Sequence, residues 1–176
     1  MRRWRDEDRE PFAAMNADPD VMRMLPKMLS RDESDAMVDR IEQRFEELGY
    51  GLWAVEITAT GEFIGFVGLA LQTYDAPFTP AVEVGWRLSS NAWGHGYATE
   101  AARRALAFGF TEVGLAEIVS MTSVPHTQSQ AVMRRIGLTR DLDGDFDYPN
   151  LPEGHPLRRH VLYRLSREQW LAALPG

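Results

Sequence analysis

Apolar positions follow two different spacings along this chain. In the first third the spacing is helical. Phe12 and Met15, three apart, predict a short helix over Asp6–Asn16, ended where Asp18, Pro19 and Asp20 punctuate the chain. Met37, Ile41, Phe45 and Leu48 recur at steps of three and four, with Ser30 three before Glu33 as a capping box and Gly49 as a stop. That pattern predicts a helix over Arg31–Leu48. The stretch from Tyr50 to Tyr74 is aromatic and β-branched instead, broken once at Thr60-Gly61, and predicts two strands joined by a turn. Pro80–Ser90 predicts a third strand, with Gly85 inside it as a bulge or a point of close approach. The helical period returns from about Tyr97, with Ala98, Ala102, Ala105, Leu106 and Phe110 on one face. A strand over Glu117–Val124 follows, then a short helix over Thr127–Gly137, a loop rich in turn residues over Asp141–Pro156, and a last strand over Arg159–Leu165. Ser166 caps a final helix carrying Trp170 and Leu171. The order is two helices, three strands, helix, strand, helix, strand, which predicts a mixed α/β or α+β single domain over residues 1–176.

Composition narrows what such a domain can do. A length of 176 residues with 44% apolar content suits one domain with a real core. The formal net charge of −7 argues against a general nucleic-acid surface. The chain has no cysteine, which removes thiol catalysis, thiolate metal sites and disulfides, and fits a cytoplasmic setting. No apolar run approaches the ~18–20 residues of a membrane span, so no membrane partner is expected. The opening "MRRWRDEDRE" has no apolar stretch behind its basic residues and does not read as a secretory signal. Four scattered histidines, without i,i+4 or carboxylate partners, predict no metal site.

One stretch carries candidate chemistry. In "NAWGHGYATEA", Gly94 and Gly96 lie directly between a predicted strand and a predicted helix. The first-turn amides of a helix have no partner within it, the helix dipole favours an anion there, and glycine lets a ligand approach the backbone. A nucleoside-triphosphate loop needs a lysine and a hydroxyl residue after its last glycine, but Tyr97 and Ala98 follow here. A dinucleotide fingerprint needs a third glycine where Thr99 stands, and an acidic residue ending the next strand, which Glu117 instead begins. An NAD(P)-linked oxidoreductase is therefore disfavoured. Asn91-x-x-Gly94-x-Gly96 is similar to the (Arg/Gln)-x-x-Gly-x-(Gly/Ala) cradle for the pyrophosphate of coenzyme A, with Asn91 in the first place. Taken alone, the two glycines fit equally a turn that binds nothing.

The downstream segment "SMTSVPHTQSQAVMRRIGL" resembles the strand, Asn-x-x-Ser, helix and Gly-Phe segment of the GCN5-related N-acetyltransferases (GNAT). His126-x-x-Ser129 holds the Asn-x-x-Ser place, and Gly137-Leu138 the Gly-Phe place. "WRDEDREPFAAMNADPDVM", "LWAVE", "FIGFVGL", "VEVGWRL", "WGHGYATEAA" and "RHVLYRL" resemble the RimJ/RimL type, the ribosomal-protein-alanine N-acetyltransferase branch. Met1 falls where that branch's first strand is under way, so that strand should be short.

The resemblance implies the GNAT acyl-CoA N-acyltransferase fold, a mixed splayed sheet flanked by helices, with Gly85 helping the strands part. It implies acetyl transfer from acetyl-CoA to a primary amine, either a small molecule or a protein N-terminus, with no metal. Trp86, Arg87 and Leu88 would offer backbone to pantetheine. Trp93, Gly94, His95, Gly96, Tyr97, Ala98 and Thr99 would hold the pyrophosphate, and His126 would hydrogen-bond the cofactor. Glu83 is the candidate base, since a primary amine attacks only when neutral, and α-amines (~7.7–8.0) give up a proton more readily than lysine (~10.4). Ser129 is the candidate group beside the leaving thiolate. Met133 stands where many relatives carry a tyrosine acid, so none is expected from this helix, and neither Tyr148 nor Tyr163 is assigned that role. Trp53, Phe66, Tyr74 and Trp86 read mainly as core, with one or two of them as candidates to line the acceptor pocket. Asp143, Asp145, Asp147 and Glu153 read as a solvated acidic loop or as a lure for a cationic amine. A non-catalytic acyl-CoA-binding or sensing module is the alternative to an enzyme, and a second copy of the chain is left open as a partner.

Overall fold

Ser30 and Gly49 bound the longest helix where the sequence predicts. The Ser30 hydroxyl accepts from the Glu33 amide (3.2 Å), the Glu33 carboxylate accepts from the Ser30 amide (2.8 Å), and Gly49 closes the helix in the left-handed conformation. The computed structural model describes residues 1–174. Its elements are α1 (Arg9–Asn16), α2 (Pro19–Met22), α3 (Arg31–Leu48), β1 (Leu52–Glu56), β2 (Phe63–Gln72), β3 (Ala81–Leu88), α4 (Tyr97–Thr111), β4 (Glu117–Ser123), α5 (Thr127–Arg135), β5 (Thr139–Asp147), β6 (Arg159–Ser166) and α6 (Arg167–Ala172). The six strands form one mixed sheet in the order β1-β2-β3-β4-β6-β5. The chain forms two compact units, Met1–Ala70 with Gly85–Ala102, and Leu71–Val84 with the segment from Arg103 onward.

The first unit is built on an aromatic core. β1 and β2 pair antiparallel from Leu52↔Gly68 to Glu56↔Phe63. Phe12 of α1 is fully buried and meets Trp4 edge-on at 4.9 Å and Phe66 at 6.0 Å. Val38, Ile41 and Phe45 supply the apolar face of α3 to the same cluster. The short first strand expected from the resemblance is a single antiparallel bridge, Arg2↔Ala54. Arg2 also holds the buried Asp8 through two hydrogen bonds of 2.7 and 2.8 Å.

In the second unit, β4 pairs parallel with β3 at Glu83↔Val119, and antiparallel with β6 from Glu117↔Ser166 to Ser123↔His160. Leu106, Phe110, Ile118, Val119, Met133 and Leu162 are buried. Ser166 caps α6 by a reciprocal box with Gln169, and Trp170 lies 5.3 Å from Phe110.

One expectation is corrected here. The loop predicted over Asp141–Pro156 begins later, because residues through Asp147 belong to β5. β5 pairs with β6 at Thr139↔Arg164 through Asp141↔Leu162, and again at Phe146↔His160 and Asp147↔Arg159. Aspartate and glycine disfavour strands, but here Arg164 donates to Asp141 at 2.7 Å, Phe146 is buried, and the Gly144 amide is taken by Asp141 at 3.1 Å inside the irregularity between the two paired segments.

Candidate active site

The glycine loop belongs to the first unit. β3 leaves the sheet through a single 3-10 turn, Ser90–Ala92, and α4 starts at Tyr97. The Trp93 indole donates to the Leu88 carbonyl at 2.9 Å, tying the loop back to the end of the strand. The Ser90 hydroxyl donates to Asp18 at 2.9 Å, and Asp18 in turn caps α2. Gly94 and Gly96 have φ of +81° and +85°, and a Cβ at either would meet nothing within 4 Å. Their constraint is therefore backbone conformation, with open space in front of it. The Gly96 carbonyl accepts the first intrahelical bond of α4, from Glu100, at 3.0 Å. The amides of Tyr97, Ala98 and Thr99 thus have no intrahelical carbonyl to bond, and they head a helix of 15 residues. Open glycine backbone followed by a helix N-terminus suits a diphosphate, so this loop fits the pyrophosphate of acetyl-CoA. His95 is exposed and stacks on Tyr97 at 5.6 Å, and both line a small hollow with Glu62 and Asn91.

At the end of β3, Leu88 is buried and Trp86 and Arg87 are half-buried. Arg87 donates to the fully buried Asn16 at 2.6 Å, lies 5.4 Å from the Phe66 ring centre, and is brought by burial down to about 10. Asn16 donates in turn to Ser34 at 3.0 Å. The Arg87 side chain is thus committed to the unit's interior. A Cβ on Gly65 would collide with the Arg87 carbonyl and Leu88 Cα, so the glycine lets β2 approach the strand closely.

Glu83, Ser129 and His126 belong to the second unit. Glu83 accepts from Gln72 Nε2 at 2.7 Å and from the Met121 amide. The residue keeps some exposed surface, but its carboxyl is packed among protein atoms, and the carboxyl is what titrates. Burial pushes it up to about 7, against the lowering effect of its two donors. The neighbouring β4 hydroxyl of Ser120 donates to the Val84 carbonyl at 2.8 Å. Side chains therefore also satisfy backbone groups next to the Glu83↔Val119 pair. Burial, and then the Glu83 charge, push the Tyr74 phenol far above its ordinary value.

Ser129 is buried at the third position of α5, and His126 precedes that helix without capping it through its side chain. His126 Nδ1 hydrogen-bonds with Thr122 at 3.0 Å. Met133 is buried. Tyr163 is buried too, with its hydroxyl between Gln130 (3.2 Å) and Arg134 (3.0 Å). Tyr148 stands half-buried, 5.3 Å from Tyr74. Sequence reasoning missed Gln72, Thr122 and the packing of Tyr74, Phe78, Phe146, Tyr148 and His160. For Gln72 the available signal was its place at the end of an apolar strand; for Phe146 the flanking aspartates hid it. Among the described residues, no group of three or more His, Asp or Glu side chains could hold a metal ion, and no helix is long and apolar enough to cross a membrane.

Residues 1–139 match the model of the acetyltransferase (GNAT) domain family. The chain is 33% identical over 172 residues to the FsC-acetyl coenzyme A-N(2)-transacetylase of Aspergillus fumigatus, covering 94% of this chain and 72% of that protein. Its fold is similar to that of a GNAT-family acetyltransferase from Bacillus anthracis (TM-score 0.77, 23% identity, 95% of this chain and 93% of the other). It is also similar to an acetyltransferase from Agrobacterium tumefaciens (TM-score 0.73, 26% identity, 93% and 88%). The mixed six-stranded sheet with its helices is the GNAT fold, and the chain belongs to the GNAT acetyltransferase family, as an acetyl-CoA-dependent N-acetyltransferase.

Proposed function

We propose that this chain transfers acetyl directly from acetyl-CoA to a primary amine, a small molecule or a protein N-terminus, in the cytoplasm, with Glu83 as the base. The observation that carries the reading is the Glu83 carboxyl. It is held in place by Gln72 and the Met121 amide, and burial brings it to about 7. A carboxyl at that value accepts a proton from an ammonium near neutral pH far better than an ordinary carboxylate does. The named relative's acetyl coenzyme A donor and N(2) acceptor support the same chemistry. The motifs quoted for the RimJ/RimL type support that branch.

Acetyl-CoA, when bound, supplies an activated thioester. The loop from Trp93 to Thr99 binds its pyrophosphate through backbone amides, and the backbone of Trp86, Arg87 and Leu88 aligns the pantetheine arm. Glu83 takes the proton that the amine loses, directly or through water, as the new C–N bond forms. A backbone amide of β3 stabilises the developing oxyanion. As the C–S bond breaks, the Ser129 hydroxyl hydrogen-bonds the departing thiolate, and His126 holds the cofactor near it.

Free-thiol release from acetyl-CoA across an amine panel tests the reading. Glu83→Gln should lower kcat by about 10²–10⁴-fold, the range for loss of a general base, with CoA affinity preserved. Wild-type turnover at pH 7 in this variant would remove Glu83 from the mechanism.

A further inference from the structure

Five aromatic side chains of the second unit pack together, and one of them, Tyr74, reaches towards Glu83 by way of Met121. Tyr74 stacks on Phe146 at 6.2 Å and meets Tyr148 edge-on at 5.3 Å. Phe78 meets Phe146 at 4.9 Å, and His160 lies 5.1 Å from Tyr148 and 5.6 Å from Phe146. Phe146 is buried and the other four are half-buried, so the cluster has a closed floor and partly open rings. Tyr74 joins this cluster to Glu83: its hydroxyl donates to Met121 Sδ at 2.6 Å, the Met121 amide donates to Glu83, and its ring packs on Phe146 and Tyr148. Burial lowers the His160 pKa below its ordinary value.

Most of the β5 carboxylates beside the cluster are paired. Asp141 pairs with Arg164 at 2.7 Å and Asp145 with Arg140 at 2.6 Å. Asp147 faces Arg159 at 3.3 Å and Arg158 at 3.5 Å. Three of the four β5 aspartates thus face arginines, and of the four acidic residues that the sequence offers as a solvated loop or a lure for a cationic amine, Asp145 and Asp147 are held in such pairs. A polyamine or a basic peptide needs several unpaired carboxylates, whereas one carboxyl beside half-open rings suits one ammonium on a flat apolar body.

We propose that Tyr74, Phe78, Phe146, Tyr148 and His160 form the subsite for the acceptor's body, and that the acceptor is a primary monoamine bearing an aromatic ring. This rests on the reading of Glu83 as the base. Burying one aromatic ring against such a cluster supports a preference of about tenfold or more over an amine without it.

The test uses the intact wild-type protein with acetyl-CoA and four acceptors: 2-phenylethylamine, n-butylamine, spermidine and a short lysine-rich peptide. The expected result is a kcat/KM for 2-phenylethylamine at least about tenfold above the other three. Tyr148→Ala should erase most of that ratio through KM. Spermidine, the peptide or n-butylamine matching 2-phenylethylamine would overturn the proposal. If no amine is turned over, the Glu83 reading fails, and the subsite is then judged by calorimetry of 2-phenylethylamine against n-butylamine on the CoA-bound protein. A tenfold tighter aromatic amine upholds it, and equal binding overturns it.

Discussion

Gln72 donates its side-chain amide to Glu83 at 2.7 Å, across the last residue of β2 and the third of β3. An amide N–H given to a carboxyl oxygen favours the ionised form, so this bond opposes the upward pull of burial on Glu83. Gln72 is a positioning residue in this arrangement. Gln72→Leu should move the acidic limb of the kcat/KM profile to higher pH by about one to two units, the worth of one charge-assisted hydrogen bond. Gln72→Glu should not restore it. An unmoved midpoint would show that Gln72 leaves the titration alone.

Glu83 should also cost the fold stability at alkaline pH. Its folded pKa is raised to about 7 from 4.5, so the folded state prefers the protonated form. Stability from that preference is full below about 4.5 and is lost as pH rises through about 7. Glu83→Gln, which stays neutral, should therefore match the wild type at pH 4.5 and exceed it at pH 8, by on the order of 3 kcal/mol at most. Urea midpoints at the two pH values measure this, and a difference independent of pH would contradict the burial of the carboxyl.

Asn16 carries a buried polar relay between helix α3 and strand β3. It donates to Ser34 and accepts from Arg87, and it is fully buried. Asn16→Leu would leave a desolvated guanidinium without its acceptor, at a cost of about 3–5 kcal/mol. Chemical denaturation reads the loss, and a variant as stable as wild type would mean that Arg87 finds another acceptor.

Gly96 tests the donor loop separately from the chemistry. At φ +85°, any side chain strains the backbone, even though space for a Cβ is open. Gly96→Val should weaken CoA binding by about tenfold or more by equilibrium dialysis, with a smaller effect on kcat at saturating acetyl-CoA. Unaltered affinity would mean that the loop does not hold the pyrophosphate.

Most elements were legible because their signals are local. The Ser30–Glu33 box, the Gly49 stop and the alanine face of α4 each state a helix within a few residues, and Thr60-Gly61 divides β1 from β2. β5 was not legible, because what makes Asp141–Asp147 a strand is β6, with Arg164 and His160 opposite it in space. The place of the glycine loop between β3 and α4 was legible for the same local reason as α3, whereas its ligand could not be read from the two glycines alone. The surroundings of Glu83 could not. Gln72 reaches it from the neighbouring strand, the Met121 amide from β4, and the aromatic cluster joins Tyr74 to residues more than seventy positions later. Arg87 shows the same limit: its partner Asn16 lies 71 residues away.

Trp93 has a consequence for observation. Of the five tryptophans it is the exposed one, at 39%, and its indole N–H is fixed on the Leu88 carbonyl at the root of the glycine loop. The loop therefore carries its own fluorophore. Occupation by a diphosphate changes the polarity around that indole, while Trp4, buried at 8%, stays dark to the event. Donor binding should be visible in tryptophan emission with no label attached, and before any acceptor is added.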